Sequence, residues 1–504
     1  MMGEPEMHEP GHMSPDEFRQ EAYRAVDMVA SYMQRLEGLP AKPGTMPGEL
    51  RSKIAATASE SPGDADEWYR IFGDIESLVI PNMMHWQSPN FFGYFPCGST
   101  GPAIIGELLS AGFGQQGMLW QTSPASNELE RALMDQMGRA LGLPGSFLSD
   151  SDNGGGCIQS TASEATLTAM VAGRRRVADR GADFHKTTVY ASTQTHSSFV
   201  KAALIAGLAA TVEDEGRVRQ VGTDAQLAMD PAQLERAIRD DIASGLTPAM
   251  VCVTLGTTGT TAIDPLAEIV RVLKETGATE AGCWLHVDAA HAGAMLVCPE
   301  HRAMIDGIEG ADSLCFNPHK WLLVNFDCDL FWTSDRRSLT ASMSVMPEYL
   351  RNSATDSGDV FDYRDWGVPL GRKFRALKLW LVLRHYGLEG LRAHVRQHIG
   401  YAELFEKHIL GDGRFEVLMP RTMNLVCIAL VAGDDATRRL MEAVNRNGPA
   451  FLTHTTVPVG GKDRYAIRVA VGAITTKETH IRALADTLIA LADAAASQAG
   501  GDAR

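Results

Sequence analysis

Two hydrophobic patterns alternate along the chain, and they divide it into three regions. In the first region apolar residues recur at helical spacing over residues 18–36. Ser14 and Glu17 form a capping-box pair before this run, and Pro15 occupies the favoured first helical position. A segment rich in proline and glycine follows, and then a second predicted helix at about residues 65–80. The apolar stripe of this arm must pack against something, and such arms often contact a partner subunit.

The second region alternates short apolar runs with helical stretches. Helices between apolar strands predict a mostly parallel sheet with helices on both faces. Ligands of such sheets bind beyond the carboxyl ends of the strands. The predicted strands are residues 187–192, 250–256, 284–289 and 313–318.

The third region contains two apolar runs, NLVCIALV and RYAIRVAV, and a final predicted helix from Thr476. This pattern predicts a small α+β domain. The predicted divisions are a helical arm over residues 1–95, a large domain over 96–390 and a small domain over 391–504.

Composition excludes several function classes. The chain has 46 Lys+Arg against 62 Asp+Glu, a net charge of −16, which disfavours a nucleic-acid or anionic-membrane surface. It has no apolar run long enough to span a bilayer and no apolar segment near its start. Eight scattered cysteines without a CxxC pair indicate reduced thiols, so we expect a cytoplasmic protein.

Two charged residues lie in apolar runs at predicted strand ends. Lys320 lies in the run SLCFNPHKWLL and is followed at once by Trp321, Leu322 and Leu323, although lysine is rarely buried without a partner, so we infer that it is there for its amine. Asp288 in WLHVDAAHAG likewise needs a positive or donating partner. A metal site at His286, Asp288 and His291 is an alternative, but His291 lies beyond the strand face that the other two share.

A glycine-rich stretch precedes a predicted helix in DNGGGCIQSTASEAT. Glycines allow close backbone approach, and the N–H groups of a helix start bind phosphate. We expect the helix to open at Thr161, with Glu164 completing a capping box. The stretch lacks the spacing of the known nucleotide fingerprints, and a plain turn is the alternative.

One ligand needs a phosphate cradle, a buried carboxylate, a lysine amine and a flat neighbour such as His196 in TQTHSSF. Pyridoxal phosphate has a phosphate, a pyridine nitrogen, a flat ring and an aldehyde. A buried carboxylate stabilises the pyridinium, and a lysine amine forms a Schiff base with the aldehyde. Desolvation lowers the pKa of such a lysine and makes it reactive.

The sequence resembles the group II pyridoxal-phosphate decarboxylases, and within them the aromatic L-amino-acid decarboxylases. This resemblance implies a fold type I (aspartate aminotransferase-like) enzyme, a homodimer, that converts an aromatic L-amino acid to its amine and CO2. It extends over about residues 15–400. The segments that carry it are VDMVASYMQRLEG, HWQSPNFFGYFP, SPASNELE, GGGCIQSTASEAT, THSS, TLGTTGTT, WLHVDAAHAG, FNPHKW and DYRDWGVPLGRKFRALKLW.

The resemblance also implies roles for individual residues. Lys320 would form the internal aldimine, Asp288 would pair with the pyridine nitrogen, and His196 would stack on the ring. In the loop SVMPEYLRNSATDSGD, Tyr349 would protonate the quinonoid carbon after CO2 leaves. The remaining implied cofactor contacts are Ala162, Ser163, Thr258, Asn317 and His319.

Substrate choice is less defined by the sequence. Tryptophan, 5-hydroxytryptophan, DOPA, tyrosine and phenylalanine all fit, and Gly371 stands where a small residue tends to admit an indole. Cys97 and Met118 depart from the residues common in relatives. Aldehyde-forming relatives tend to replace the loop tyrosine or the stacking histidine, so their presence favours simple decarboxylation; a decarboxylase of acidic or diamino acids is a further alternative. The expected pocket residues are Trp86, Tyr94, Phe95, Pro96, Met118 and Gly371.

Overall fold

A mostly parallel sheet forms the middle of the chain, and an antiparallel sheet forms its C-terminal part. The computed structural model describes residues 12–57, 63–64, 66–214, 216–345 and 360–497. These residues confirm the predicted fold class.

The larger sheet has the order β1-β7-β6-β5-β4-β2-β3, in which β7 is antiparallel to both neighbours and the other pairs are parallel. The smaller sheet has the order β10-β11-β9-β8 and is antiparallel throughout. The strands are β1 Gly155–Gln159, β2 Thr187–Ser192, β3 Val218–Val221, β4 Thr247–Thr254, β5 Trp284–Asp288, β6 Ser313–Phe316, β7 Asp329–Thr333, β8 Phe415–Val417, β9 Leu425–Leu430, β10 Thr453–Val459 and β11 Lys462–Ala470.

Helices cover both faces of the larger sheet. Alternate residues of β4 point into different hydrophobic cores. Val251 and Val253 pack in the core on one face of the sheet, and Met250 and Cys252 pack in the core on the other face. The helices are α1 Pro15–Arg35, α2 Glu49–Ala55, α3 Glu67–Asp74, α4 Gly101–Phe113, α5 Pro124–Leu141, α6 Ala162–Asp179, α7 Ser198–Ile205, α8 Pro231–Ala243, α9 Leu266–Glu275, α10 Ala278–Ala281, α11 Pro318–Trp321, α12 Arg336–Met343, α13 Arg375–Ile409, α14 Asp434–Asn447 and α15 Glu478–Ser497.

The four strands predicted in the middle region are confirmed as β2, β4, β5 and β6. Strand β1 was missed because its glycines indicate a turn. In the fold these glycines permit close packing: a Cβ on Gly156 would lie 2.6 Å from Met134 Cε and 2.7 Å from Trp332 Cδ1.

The predicted start of α1 is confirmed, with Ser14 and Glu17 forming the capping box. Within α1, every residue of which the structure describes, none is buried. Its apolar stripe faces solvent in the single chain, with Tyr23 66% and Val26 54% exposed. In the part of the chain that is described, no helix is long and apolar enough to cross a membrane.

The segment before the large domain joins the smaller sheet. Phe92 N–H donates to the Phe451 carbonyl at 2.9 Å, and the Phe92 carbonyl accepts from Ala470 N–H at 3.0 Å. Helix α13 continues past the predicted division at residue 390, with a break in helical geometry at Gly387. The domain boundaries remain predictions.

Close packing between α4 and α13 generates the first testable prediction. A Cβ on Gly106 would lie 2.5 Å from Lys378 Cα, a backbone atom that cannot rotate away. We expect Gly106→Ala to destabilise the protein by about 1–3 kcal/mol, because overpacking forces backbone shifts. The measurement is the thermal unfolding midpoint.

The matched control is Gly112→Ala in the same helix, where an added Cβ meets nothing within 4 Å. Alanine there should raise the midpoint slightly, because it favours the helix by about 0.5–1 kcal/mol over glycine. Equal midpoints for the two variants would contradict the prediction.

Candidate functional site

Two adjoining cavities lie at the carboxyl ends of the parallel strands. The smaller cavity has a volume of about 230 Å3 and the larger about 550 Å3. Both are lined by Phe95, His196, Thr258, His319 and Lys320. A ligand in one cavity would therefore reach the same lysine as a ligand in the other.

Lys320 lies in the short helix α11, directly after β6. Burial lowers the pKa of Lys320 below its usual 10.5, while the Asp288 carboxylate opposes this shift. Lys320 Nζ is 5.6 Å from the centroid of the Phe95 ring. The amine is thus closer to its reactive, neutral form than that of a solvated lysine.

Asp288 ends β5 and is 5% exposed. Its Oδ1 accepts a hydrogen bond from Ala290 N–H at 2.9 Å, and its side chain lines the smaller cavity. One carboxylate oxygen is therefore held by the backbone, in a cavity that also contains Lys320.

His286, two residues earlier, has partners of its own. Ser313 Oγ accepts a hydrogen bond from Trp284 Nε1–H and is also hydrogen bonded to His286 Nδ1 at 2.8 Å. Burial lowers the pKa of His286 to about 4, which keeps the ring neutral. His291 bonds instead to Asn424. In the described ranges no three His, Cys, Asp or Glu side chains are grouped so as to hold a metal ion.

The start of α6 faces the smaller cavity with Ala162 and Ser163. Ala162 N–H donates to Asn317 Oδ1 at 3.1 Å, which ties this helix start to the end of β6. The expected capping box is wrong. The Thr161 side chain makes no capping hydrogen bond, because Glu164 reaches back one residue further and accepts from Ser160 N–H at 3.0 Å.

Two histidines, His196 and His319, line the cavities with Lys320, and both of their rings are neutral. Ser198 N–H donates to His196 Nδ1 at 3.2 Å, and burial and the nearby Lys320 lower the pKa of His196. Cys328 N–H donates to His319 Nδ1 at 3.0 Å, and burial lowers the pKa of His319 to about 4. Neutral rings can lie beside a cationic or flat ligand without adding positive charge.

Aromatic rings line the larger cavity. Trp86 and Tyr94 stack with centroids 5.5 Å apart, and Phe95 and Pro96 continue the wall. The smaller sheet supports this wall, because Tyr94 N–H donates to Thr453 Oγ1 at 3.1 Å. Four residues expected in the substrate pocket therefore lie together.

Other expected pocket residues lie elsewhere. Met118 and Gly371 line neither cavity. Gly371 packs near Gln116, and the Met118 carbonyl accepts from Arg364 N–H. Tyr349 falls outside the described residues.

Arg468 was missed by the sequence reasoning, although an arginine inside the apolar run RYAIRVAV was a signal. It is 4% exposed, lines the larger cavity, and donates to the Thr258 carbonyl at 2.7 Å and the Gly259 carbonyl at 3.1 Å. No carboxylate of the described residues pairs with it. Its guanidinium also donates to the Tyr94 carbonyl at 3.3 Å and to Thr453 Oγ1 at 3.2 Å, so its charge is held at the cavity by neutral oxygens.

Pyridoxal phosphate fits this donor set. A lysine with a lowered pKa, a carboxylate with one oxygen held by the backbone, and a helix start lie in one cavity. These are the groups that an aldehyde, a pyridine nitrogen and a phosphate require.

Known proteins share this architecture over nearly the whole chain. A model described as the pyridoxal-dependent decarboxylase conserved domain matches residues 47–431. Tyrosine decarboxylase 2 of Narcissus pseudonarcissus is 42% identical, covering 93% of this chain and 93% of its own. Phenylacetaldehyde synthase of Arabidopsis thaliana is 40% identical, covering 93% of this chain and 94% of its own. The crystal structure of Oryza sativa TDC with PLP and tryptamine has a TM-score of 0.90 and 38% identity, covering 96% of this chain and 99% of that one.

The electrostatics of Lys320 lead to a prediction about pH. The cofactor-free protein should take up pyridoxal phosphate with a pH midpoint below 10.5, because burial lowers the pKa of Lys320. Asp288→Asn should move this midpoint lower still, since the lost negative charge stabilised the ammonium. The measurement is the rate of the visible absorbance change at each pH.

Asp306→Asn serves as the control, because Asp306 lines a separate surface cavity. It should leave the midpoint unchanged. An upward shift in Asp288→Asn would contradict the electrostatic argument.

Proposed function

Because the chain belongs to the family of pyridoxal-dependent decarboxylases, we propose that it converts an aromatic L-amino acid to its amine and CO2. The cavity of about 550 Å3 beside Lys320 carries this proposal. Its aromatic wall of Trp86, Tyr94, Phe95 and Pro96 suits a flat apolar ring. A relative named for tyrosine decarboxylation supports the same substrate class.

Five residues of the smaller cavity would hold the cofactor. Lys320 would bind its aldehyde through the amine, and Asp288 would hold the proton of the pyridine nitrogen. At the start of α6, Ser163 would bind the phosphate and Ala162 would lie against it, because the Ala162 N–H is donated to Asn317; the neutral ring of His196 would lie on the cofactor face. When bound, pyridoxal phosphate supplies an electron sink for the pair released as CO2 leaves.

Three further residues would keep these groups in place. Asn317 accepts from Ala162 N–H and so orients the phosphate-binding helix start. His319 bonds to the backbone of Cys328, which fixes the turn around Lys320. Thr258 is held through its carbonyl by Arg468.

Tyr349 would return a proton to the substrate Cα from its hydroxyl; this role rests on the sequence resemblance.

Charge in the larger cavity favours a neutral side chain on the substrate. Among the described lining residues, Lys320 and Arg468 are the Lys and Arg side chains. Lys320 is committed to the cofactor, which leaves Arg468 to attract the substrate's α-carboxylate. An acidic substrate would place its second carboxylate against aromatic rings, where an unpaired charge is costly.

An aldehyde-forming reaction is the second candidate, because a phenylacetaldehyde synthase is also a close relative. The presence of both His196 and Tyr349 favours the amine as the product. Tyr349→Phe would then remove the proton donor and shift product from amine toward aldehyde.

We also propose that the enzyme is a cytoplasmic homodimer. The exposed apolar stripe of α1 and the exposed Ile105 and Phe113 of α4 offer a surface for a second copy. Met118 and Gly371, which line neither cavity of their own chain, would reach the site of the second copy. Eight free cysteines support a reducing compartment.

Product analysis tests the proposed reaction. The cofactor-loaded protein is incubated with pooled aromatic, acidic and diamino L-amino acids, and products are identified by mass spectrometry. We expect an amine lighter than one aromatic substrate by CO2. Lys320→Ala should abolish turnover and the visible absorbance of the bound cofactor. Aldehyde with ammonia as the main product would favour the second candidate, and turnover of an acidic substrate would refute the substrate class.

The unpaired charge of Arg468 gives a kinetic prediction. Arg468→Met should raise KM for the aromatic substrate about tenfold or more, because a charge-assisted hydrogen bond contributes about 1.5–3 kcal/mol. The control is Arg464→Met on the same strand, because Arg464 pairs with Glu416 and Asp434 instead. An unchanged KM in Arg468→Met would show that the substrate does not use this charge.

A further inference from the structure

Three rings form a stack beside Lys320. His291 lies on Phe95 with centroids 3.8 Å apart at 16°, and on Trp321 with centroids 4.9 Å apart at 9°. Both His291 and Trp321 are 1% exposed. Phe95, at the end of the stack, lines both cavities, and His291 itself lines the smaller one.

A single hydrogen bond sets the orientation of the His291 ring. Asn424 Nδ2 donates to the Val471 carbonyl at 2.6 Å, so Asn424 Oδ1 is the acceptor for His291 Nε2–H at 2.7 Å. Asn424 directly precedes β9, whereas His291 follows β5. The bond therefore joins the loop after Asp288 to the smaller sheet.

The His291 ring carries no charge that would change its stacking on Phe95 and Trp321. Burial lowers the pKa of His291 to about 3; the hydrogen bond to Asn424 opposes this shift, and the Lys320 and Arg468 cations add to it. The ring is neutral at physiological pH. The stack is consequently the same across the pH range in which the enzyme would work.

The position of Phe95 matters to both cavities. The centroid of its ring lies 5.6 Å from Lys320 Nζ and 5.2 Å from Arg468 Cζ, so the ring contacts both cations that line the larger cavity. Its backbone neighbours are fixed by the smaller sheet, but its ring orientation depends on what covers its other face. His291 covers that face.

We propose that His291 is a positioning residue for the substrate cavity: stacked between Phe95 and Trp321 and oriented by Asn424, it holds the Phe95 ring as the wall against which a substrate ring packs. This inference rests on the proposed function for the identity of the substrate ring. In this proposal His291 acts through the Phe95 ring and takes no proton in the reaction.

Binding of 3-phenylpropionate to the cofactor-loaded full chain tests the proposal. This acid has the ring and carboxylate of an aromatic substrate but no amine to react, so calorimetry reports cavity fit alone. His291→Ala should weaken its binding about twofold to tenfold, the value of one aromatic contact. KM for the aromatic substrate should rise by the same factor with kcat nearly unchanged.

Two further variants separate stacking from hydrogen bonding. His291→Phe retains the stack without the bond, and Asn424→Ala removes the bond from the other side. Each should weaken binding by less than His291→Ala. The double variant His291→Phe/Asn424→Ala should lose no more binding affinity than either single variant, because both substitutions remove the same hydrogen bond.

His454→Ala is the matched control, since His454 stacks on Tyr465 with centroids 4.7 Å apart at 16° and lines neither cavity. It should leave 3-phenylpropionate binding unchanged. Full binding by His291→Ala, or additive losses in the double variant, would overturn the proposal. If the wild-type chain turned over no aromatic amino acid, the proposed function would fail, while the calorimetric comparison would still decide the role of His291.

Discussion

The site depends on burying a lysine amine beside a carboxylate without leaving either charge uncompensated. Burial alone would drive Lys320 to lose its proton and would penalise the Asp288 anion. The fold meets this constraint by ending β5 and β6 side by side, with Asp288 paired across the sheet to Cys315. The backbone N–H of Ala290 donates to the carboxylate, and the carboxylate raises the pKa of Lys320 against the lowering effect of burial. In the proposed function this pair would bind the aldehyde and the basic nitrogen of the cofactor.

A second constraint comes from the meeting of the two sheets. The larger sheet presents the cofactor groups, while the aromatic wall of the substrate cavity is hydrogen bonded to the smaller sheet. Pro96 packs directly on Gly472, where no side chain would fit. Arg468 and the bond between His291 and Asn424 cross this junction. The proposed substrate cavity therefore draws its walls from both sheets, whereas the proposed cofactor contacts belong to the larger one.

Local patterns and tertiary contacts disagree at the start of α6. The sequence Thr-x-x-Glu is typical of a capping box, yet Glu164 bonds to Ser160 and the Thr161 side chain makes no capping bond. The first helical N–H is used by Asn317, a residue 155 positions later. A neighbour distant in sequence thus replaces a local cap, because the helix start must face the ligand.

The sequence by itself determined the parallel strands, the capped helix α1, and the identity of Lys320 and Asp288 as unusual charges. These follow from periodicity and from the cost of burying charge, which act locally. Only the tertiary structure decided that Arg468 enters the cavity, that His291 stacks on Phe95, and that Met118 and Gly371 lie outside it. Such placements depend on which side chains meet across elements hundreds of residues apart, and no local pattern encodes that. Strand β1 illustrates the same limit, because Met134 and Trp332 pack against Gly156, and Trp366 and Phe361 pack against Gly155, so these glycines are required by packing rather than by a turn.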